Sequence, residues 1–302
     1  YLSTEGGDEL PGASVQAITK SRAGIGLEIT LDTALQFITE QALGKQLQMT
    51  GAYTGTAIVM DVRTGEILAN ASLVNVKVAP APLTPVTDWG SNIGIPAIRQ
   101  TIMNLGITQV YLPGSVFKVV PFSAALERNL ITPETTFPVP YSVKIGTHTF
   151  HDAERHGLLT LTAANILSQS SNIGTLQISR QVGKVALLDQ VTKLGFGEMT
   201  DLGYPGESAG VMKTLSTFYD SDIASLPIGQ VNAVTPLQVL NCYNAIANNG
   251  VFVQPRLVRG YIHPDGKIVA APPSRENHAL SPRVAATLRN MLQGVVTRGT
   301  GM

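Results

Sequence analysis

Thr56-Ala57-Ile58-Val59-Met60-Asp61 and Glu66-Ile67-Leu68-Ala69-Asn70-Ala71-Ser72 are two apolar runs joined by Val62-Arg63-Thr64-Gly65. Two such runs across a short Gly-containing link read as a β-hairpin, so the sheet here is antiparallel and a parallel dinucleotide-binding sheet is disfavoured. Upstream, residues 27–31 alternate like a strand, and Asp32 can cap a helix running to about Leu47 with Leu35, Ile38, Ala42 and Leu43 near one face. Downstream, residues 77–96 carry several prolines and read as a long loop. A helix is expected from Ser115 to about Arg128, kinked or shortened in its first turns by Pro121. Helical patterns recur over residues 160–168, 173–183 and 185–194. Thr235-Pro236 opens another that closes at Asn248-Asn249-Gly250, with Pro at the start and Gly past the end. Residues 251–258, 260–263 and 268–270 read as strands, the last two joined across Pro264-Asp265-Gly266. Ser281-Pro282 starts a final helix to about Val296. Strands thus cluster towards both ends with helices between them. The expected architecture is α+β, an antiparallel sheet built from distant segments and packed by helices.

Composition removes several classes of function. The chain has 302 residues, 44% hydrophobic and 14% charged, with formal net charge zero. No basic surface for nucleic acid or an anionic membrane is implied, and no apolar stretch approaches a bilayer span. A single cysteine, Cys242, excludes an intramolecular disulfide and a multi-cysteine metal site. It falls on the helical pattern Leu237, Leu240, Tyr243, Ile246, Ala247 and reads as a small buried thiol.

The chemistry is concentrated in Tyr111-Leu112-Pro113-Gly114-Ser115-Val116-Phe117-Lys118. A hydroxyl and an amine three residues apart share one face of a helical turn, so the lysine can take the serine's proton. Pro113-Gly114 suits a helix start, where Ser115 meets the positive end of the dipole. Some fifty residues on comes Gln169-Ser170-Ser171-Asn172-Ile173-Gly174, between two helical patterns, where a loop can aim a hydroxyl and a carboxamide into a cleft. His148, His151, Asp152, Glu154 and His156 form the one cluster that looks like metal ligands, but the spacing fits no zinc signature and a solvated loop is expected. Gly24-Ile25-Gly26 and Gly195-Phe196-Gly197 lack the third glycine of a dinucleotide loop. Glu207 reads as a turn or salt-bridge residue.

With both elements in view, the chain resembles the transpeptidase domain of penicillin-binding proteins, the monofunctional class B, cell-division type. The resemblance also rests on Leu27 to Asp32 followed by Leu35-Gln36, Thr64-Gly65-Glu66-Ile67-Leu68-Ala69, Phe196-Gly197, Pro205-Gly206-Glu207-Ser208, Ile228-Gly229-Gln230 and Thr235-Pro236-Leu237-Gln238. It implies the serine β-lactamase and penicillin-binding-protein fold, with a helical lobe, over residues 25–302. Residues 1–24 would be the remnant of a pedestal domain or linker. It also implies a D,D-transpeptidase that cross-links peptidoglycan stem peptides through an acyl-enzyme and is blocked covalently by β-lactams. A β-lactamase or D,D-carboxypeptidase, or a catalytically impaired scaffold or sensor, are the alternatives.

Carried over residue by residue, Ser115 is the implied nucleophile, Lys118 the general base, Ser170 the proton relay and Asn172 the group that binds the substrate amide. The Ser115 N–H would be half of the oxyanion hole. No cofactor or metal is implied. Implied partners are stem peptides, β-lactams and division or elongation proteins including a glycosyltransferase, at the outer face of the bacterial cell membrane. Two departures stand out. Leu112 occupies a position that is usually acidic in the family, and the Lys-Thr-Gly motif is absent. Arg298-Gly299-Thr300-Gly301 looks like the Gly-Thr-Gly loop that precedes that motif, so the final strands and helix are expected to lie beyond this sequence.

Overall fold

The computed structural model describes residues 24–78 and 93–301. The pedestal or linker remnant expected over residues 1–24 and the loop expected over residues 77–96 fall largely outside them. In chain order the elements are β1 (Gly26–Ile29), α1 (Thr33–Thr50), β2 (Thr54–Met60), β3 (Ile67–Asn75), β4 (Ile98–Gln100), α2 (Leu105–Thr108), a 3-10 turn (Gly114–Lys118) and α3 (Val119–Glu127). Then follow β5 (Thr136–Val139), β6 (Ser142–Ile145), β7 (His148–His151), β8 (Leu159–Thr162), α4 (Ala163–Ser168), α5 (Asn172–Val182), α6 (Lys184–Lys193) and α7 (Asp222–Ser225). The last are α8 (Pro236–Ala247), β9 (Val251–Val253), β10 (Val258–Ile262), β11 (Ile268–Ala270), β12 (Glu276–His278) and α9 (Pro282–Arg298).

Contacts divide the chain into two units. In the smaller, β10 pairs antiparallel with β1 on one side and β11 on the other. The larger, residues 30–257 and 272–302, carries everything else. Its hairpin is the one expected: β2 and β3 pair antiparallel with Ala57 opposite Ala71, and β4 extends the sheet beyond β3. Asp61 closes the turn by accepting from the Arg63 and Thr64 amides, both at 2.9 Å, which pulls its carboxyl below the usual range, the Thr64 amide first. Along β3, Ile67, Ala69, Ala71 and Leu73 are buried in strict alternation, the two-residue period of a sheet with one covered face.

Helix α1 begins where expected, with Asp32 accepting from the Leu35 amide at 2.9 Å. Its buried stripe differs. Gly44 and Leu47 are covered, with Leu43 beside them, whereas Ile38 is 61% exposed and Ala42 is exposed too. Nine residues of helix turn Ile38 half a revolution away from Leu47, which packs with Leu73 and Ile98, so no single face can serve both.

Two further expectations are corrected. Residues 160–162 are not helical: they belong to β8, whose β-branched threonines lie in the ladder with β5, and Thr162 then caps α4 through the Asn165 amide. Residues 251–258 are not one strand, because Pro255 has no N–H to donate. The chain leaves the β9–β12 ladder at Val253, makes a single bridge from Arg256 to Glu66, and enters the next ladder at Val258.

The main core lies among α3, α4, α5, α6, α8 and α9, around Phe122, Leu126, Ile166, Ile173, Ile178 and Leu288. Gly174 lets α4 and α5 approach closely, since a Cβ there would lie 2.6 Å from the Ile166 side chain. Helix α8 opens with a reciprocal cap between Thr235 and Gln238 and carries Cys242, a buried thiol pushed up to about 12 by burial.

Candidate active site

The Ser115–Lys118 segment is a 3-10 turn, not the first turn of an α-helix. At three residues per turn, positions i and i+3 eclipse, which stacks Ser115 and Lys118 along one edge more closely than an α-helix would. The α-helix takes over at Val119, so Pro121 sits at its third position, where its missing N–H is one of the orphans of any helix start. Phe117 holds the turn down: it is 1% exposed and its ring meets Phe196 at 4.9 Å. With Phe117 inward, Ser115 faces outward and is exposed. Gly229 braces the turn from the other side, its carbonyl accepting from the Gly114 amide at 3.2 Å. It adopts φ +72°, and a Cβ there would lie 2.4 Å from the Gly114 backbone. Only glycine allows that approach.

Lys118 is 1% exposed, a lysine inside a core. Its Nζ donates to Ser170 Oγ at 2.9 Å and to the Ser170 carbonyl. Burial pushes the amine down to about 8, against the opposing pull of the Asp152 carboxylate, which favours the charged form. At that value roughly a tenth of the amine is uncharged at pH 7, against fewer than about one in a thousand at its ordinary value. Among the described residues no hydrogen bond joins Ser115 Oγ to the amine.

Ser170 owes its position to the end of α4. The Ser170 amide donates to Leu167 and the Ser171 amide to Ile166, at 3.1 and 3.0 Å. This is the paired hydrogen bonding that closes a helix around a left-handed residue, a position glycine normally fills. Here it is a serine with φ +56°. The residue departs from its preferred conformation, and its hydroxyl is delivered to Lys118. Ser171 then caps α5, its Oγ accepting from the Gly174 amide at 2.9 Å. Asn172 is the first residue of that helix and donates from Nδ2 to the His151 carbonyl at 3.0 Å. A cleft of about 360 Å³ opens beside Ser170, lined also by Asp152, His156, Leu161, Arg298 and Thr300. The Thr300 amide donates to the Ser168 carbonyl at 3.3 Å, so the Arg298–Gly301 segment lies against the turn that carries Ser170.

The chain matches the family described as the penicillin binding protein transpeptidase domain over residues 55–302. It belongs to that family. It is 36% identical over 279 residues to penicillin-binding protein PbpB of Mycobacterium tuberculosis, covering 92% of this chain and 39% of the relative. It is 28% identical over 284 residues to peptidoglycan D,D-transpeptidase FtsI of Escherichia coli, covering 94% and 44%. The crystal structure of penicillin binding protein 3 from M. tuberculosis superposes with TM-score 0.83 at 35% identity, over 94% of this chain and 61% of that one. The same protein has been solved with ampicillin and with aztreonam. This chain spans about two fifths of the length of the curated relatives.

Within this transpeptidase domain, one residue that the sequence reading left in a solvated loop is buried at the site. Asp152 is 7% exposed and accepts from the Ser171 hydroxyl, the Ile173 amide at 2.9 Å and His156 Nε2 at 3.1 Å. The signal that could have found it was Asp152 preceding the serine pair by about twenty residues, in the loop that follows β7. His148 and His151 lie on β7, paired with β6, and among the described residues no three His, Cys, Asp or Glu are placed to hold a metal ion. Glu207 braces a turn through the Thr200 amide at 2.7 Å. Leu112 is 55% exposed.

Proposed function

We propose that this chain performs the acyl transfer of a peptidoglycan D,D-transpeptidase, with Ser115 as nucleophile and Lys118 as base. The observation that carries the reading is the Lys118 amine: buried, depressed to about 8, bonded to Ser170 and stacked on the turn that carries Ser115. Ser115 Oγ bonds to the carbonyl carbon of the penultimate D-alanine, and its proton passes to Lys118 Nζ. The peptide C–N bond breaks as the leaving D-alanine amine receives a proton from the Lys118 ammonium through Ser170 Oγ. The Ser115 N–H, at a helix start, faces the developing oxyanion. Asn172 binds the donor peptide's amide. An amine of a second stem peptide attacks the ester, restoring Ser115 and closing the cross-link.

β-Lactams imitate the D-Ala-D-Ala amide and stop the cycle at the acyl stage. The relative solved with ampicillin and aztreonam supports this. The site of action is the extracytoplasmic face of the membrane, where stem peptides are found. Among the described residues no helix is long and apolar enough to cross a membrane. We also propose division-complex partners, a glycosyltransferase among them, on the resemblance of the sequence blocks to the cell-division type.

Intact mass measured with and without benzylpenicillin tests the reading. The expected result is one added penicillin that persists for hours and is absent in Ser115→Ala. Labelling that survives Ser115→Ala removes Ser115 from the mechanism, and rapid release of penicilloate assigns a hydrolase instead.

A further inference from the structure

Asp152 and His156 are not in the acyl-transfer scheme, yet both face it. The Asp152 carboxylate reaches Ser171 Oγ with both oxygens, at 3.1 and 2.9 Å, and takes the Ile173 amide at 2.9 Å. Those contacts tie down the residues on either side of Asn172. Behind the carboxylate stands His156, with Nε2 3.1 Å from Asp152 and Nδ1 2.6 Å from the Gly157 carbonyl. Both ring nitrogens face acceptors, and only the imidazolium can donate to two acceptors at once. The Tyr141 ring stands edge-on to His156 at 5.9 Å and closes the other side.

We propose that Asp152 and His156 form a positioning couple, which fixes the Ser170–Asn172 segment and whose net charge acts on the Lys118 amine. The proposal rests on the reading of Lys118 as the base. A cap for α5 alone does not require a carboxylate, since Asn or Ser accepts the same amides. A buried negative charge does more. With His156 neutral it favours the Lys118 ammonium and withholds the base, and with His156 protonated the couple is near neutral and the base is released.

The charged or titratable groups around Lys118 are few. Asp152, on the loop after β7, is the one whose charge acts on the amine, with His156 behind it. Tyr243, from α8, donates to the Val116 carbonyl on the 3-10 turn, and burial raises its phenol. Glu154, Arg155 and Arg298 line the cleft beside Ser170.

The test is the second-order rate of acylation by a fluorescent penicillin between pH 5 and 10, in the wild type, Asp152→Asn and His156→Gln. Removing the carboxylate charge moves the acidic limb to lower pH by roughly half a unit, and removing the imidazolium moves it to higher pH. A purely structural pair slows both variants at every pH with the midpoint unmoved. Unmoved or parallel limbs overturn the proposal. Should Asp152→Asn not fold, the His156→Gln limb decides alone, an unmoved midpoint being the refutation. A wild type that takes no label sinks the transpeptidase reading and this proposal with it, whereas a labelled wild type with unmoved limbs sinks this proposal only.

Discussion

Replacing Lys118 by methionine removes the charge and leaves most of the side-chain volume. The buried amine titrates near 8 rather than 10.5, so holding it as an ammonium in the fold costs about 3 kcal/mol at neutral pH, at about 1.4 kcal/mol per unit. The sign follows from proton counting. Between pH 8 and 10.5 the unfolded chain binds the proton that the folded chain has released, so wild-type stability rises with pH in that window. Integrated from pH 7 to 10, the rise from this group is about 2.5 kcal/mol, and Lys118→Met lacks it. Against that stand the two hydrogen bonds to Ser170, worth on the order of 1 kcal/mol each and lost at every pH. The variant is therefore about 1 kcal/mol more stable than the wild type at pH 7 and about 1–2 kcal/mol less stable at pH 10. Urea titrations of both proteins at half-unit intervals measure the difference, in which all other titrating groups cancel. A difference that stays flat from pH 7 to 10 refutes the buried-amine argument. So does an unchanged rate of penicillin acylation.

Ser170→Gly relieves the left-handed serine, by about 1 kcal/mol, but loses its hydroxyl's bond to Lys118, worth about as much, so the melting temperature should stay close to wild type while acylation slows. Gly229→Ala places a methyl 2.4 Å from the Gly114 backbone at φ +72°; the expected loss is more than about 2 kcal/mol in urea, with penicillin labelling lost in the fraction that still folds. His156 is raised above its ordinary value, chiefly by the Gly157 carbonyl and then by Asp152. Its contribution is complete below the unfolded value near 6.5 and fades as pH rises through the folded one. The urea midpoints of wild type and His156→Gln should accordingly converge above that pH, with imidazole proton resonances locating the transition.

What could be read in the sequence was what local chemistry dictates. The hairpin around Val62-Arg63-Thr64-Gly65, the Asp32 cap and the Thr235-Pro236 helix start each depend on residues within a few positions of one another. Asp152 could not be found that way. Its partners Ser171 and Ile173 lie about twenty residues on, and a charge cluster with three histidines looks solvated until a fold buries it. The face of α1 failed for a related reason: its apolar residues occupy two sides, and only the position of Leu73 on the facing sheet decides which is covered. Residues 160–168 mixed a strand and a helix because Leu159–Thr162 is held by its ladder to β5, a partner that helical periodicity cannot see.

Two violations of local preference meet at one contact. A lysine is buried in an apolar core, and a serine occupies a backbone conformation that glycine would take without strain. Each alone lowers stability, by about 3 and about 1 kcal/mol. The hydrogen bond between them contributes about 1 kcal/mol, well short of the two costs together. The surrounding packing holds them: Phe117 against Phe196 below the 3-10 turn, and Gly174 against Ile166 where α4 meets α5. Independent strains have no reason to converge on a single 2.9 Å contact unless that contact is what the packing serves. A domain relaxed at both positions, Lys118→Met with Ser170→Gly, should thus be at least as stable as the wild type at pH 7 and take no penicillin. A double variant that is less stable there would show that the amine and hydroxyl hold the fold rather than depend on it.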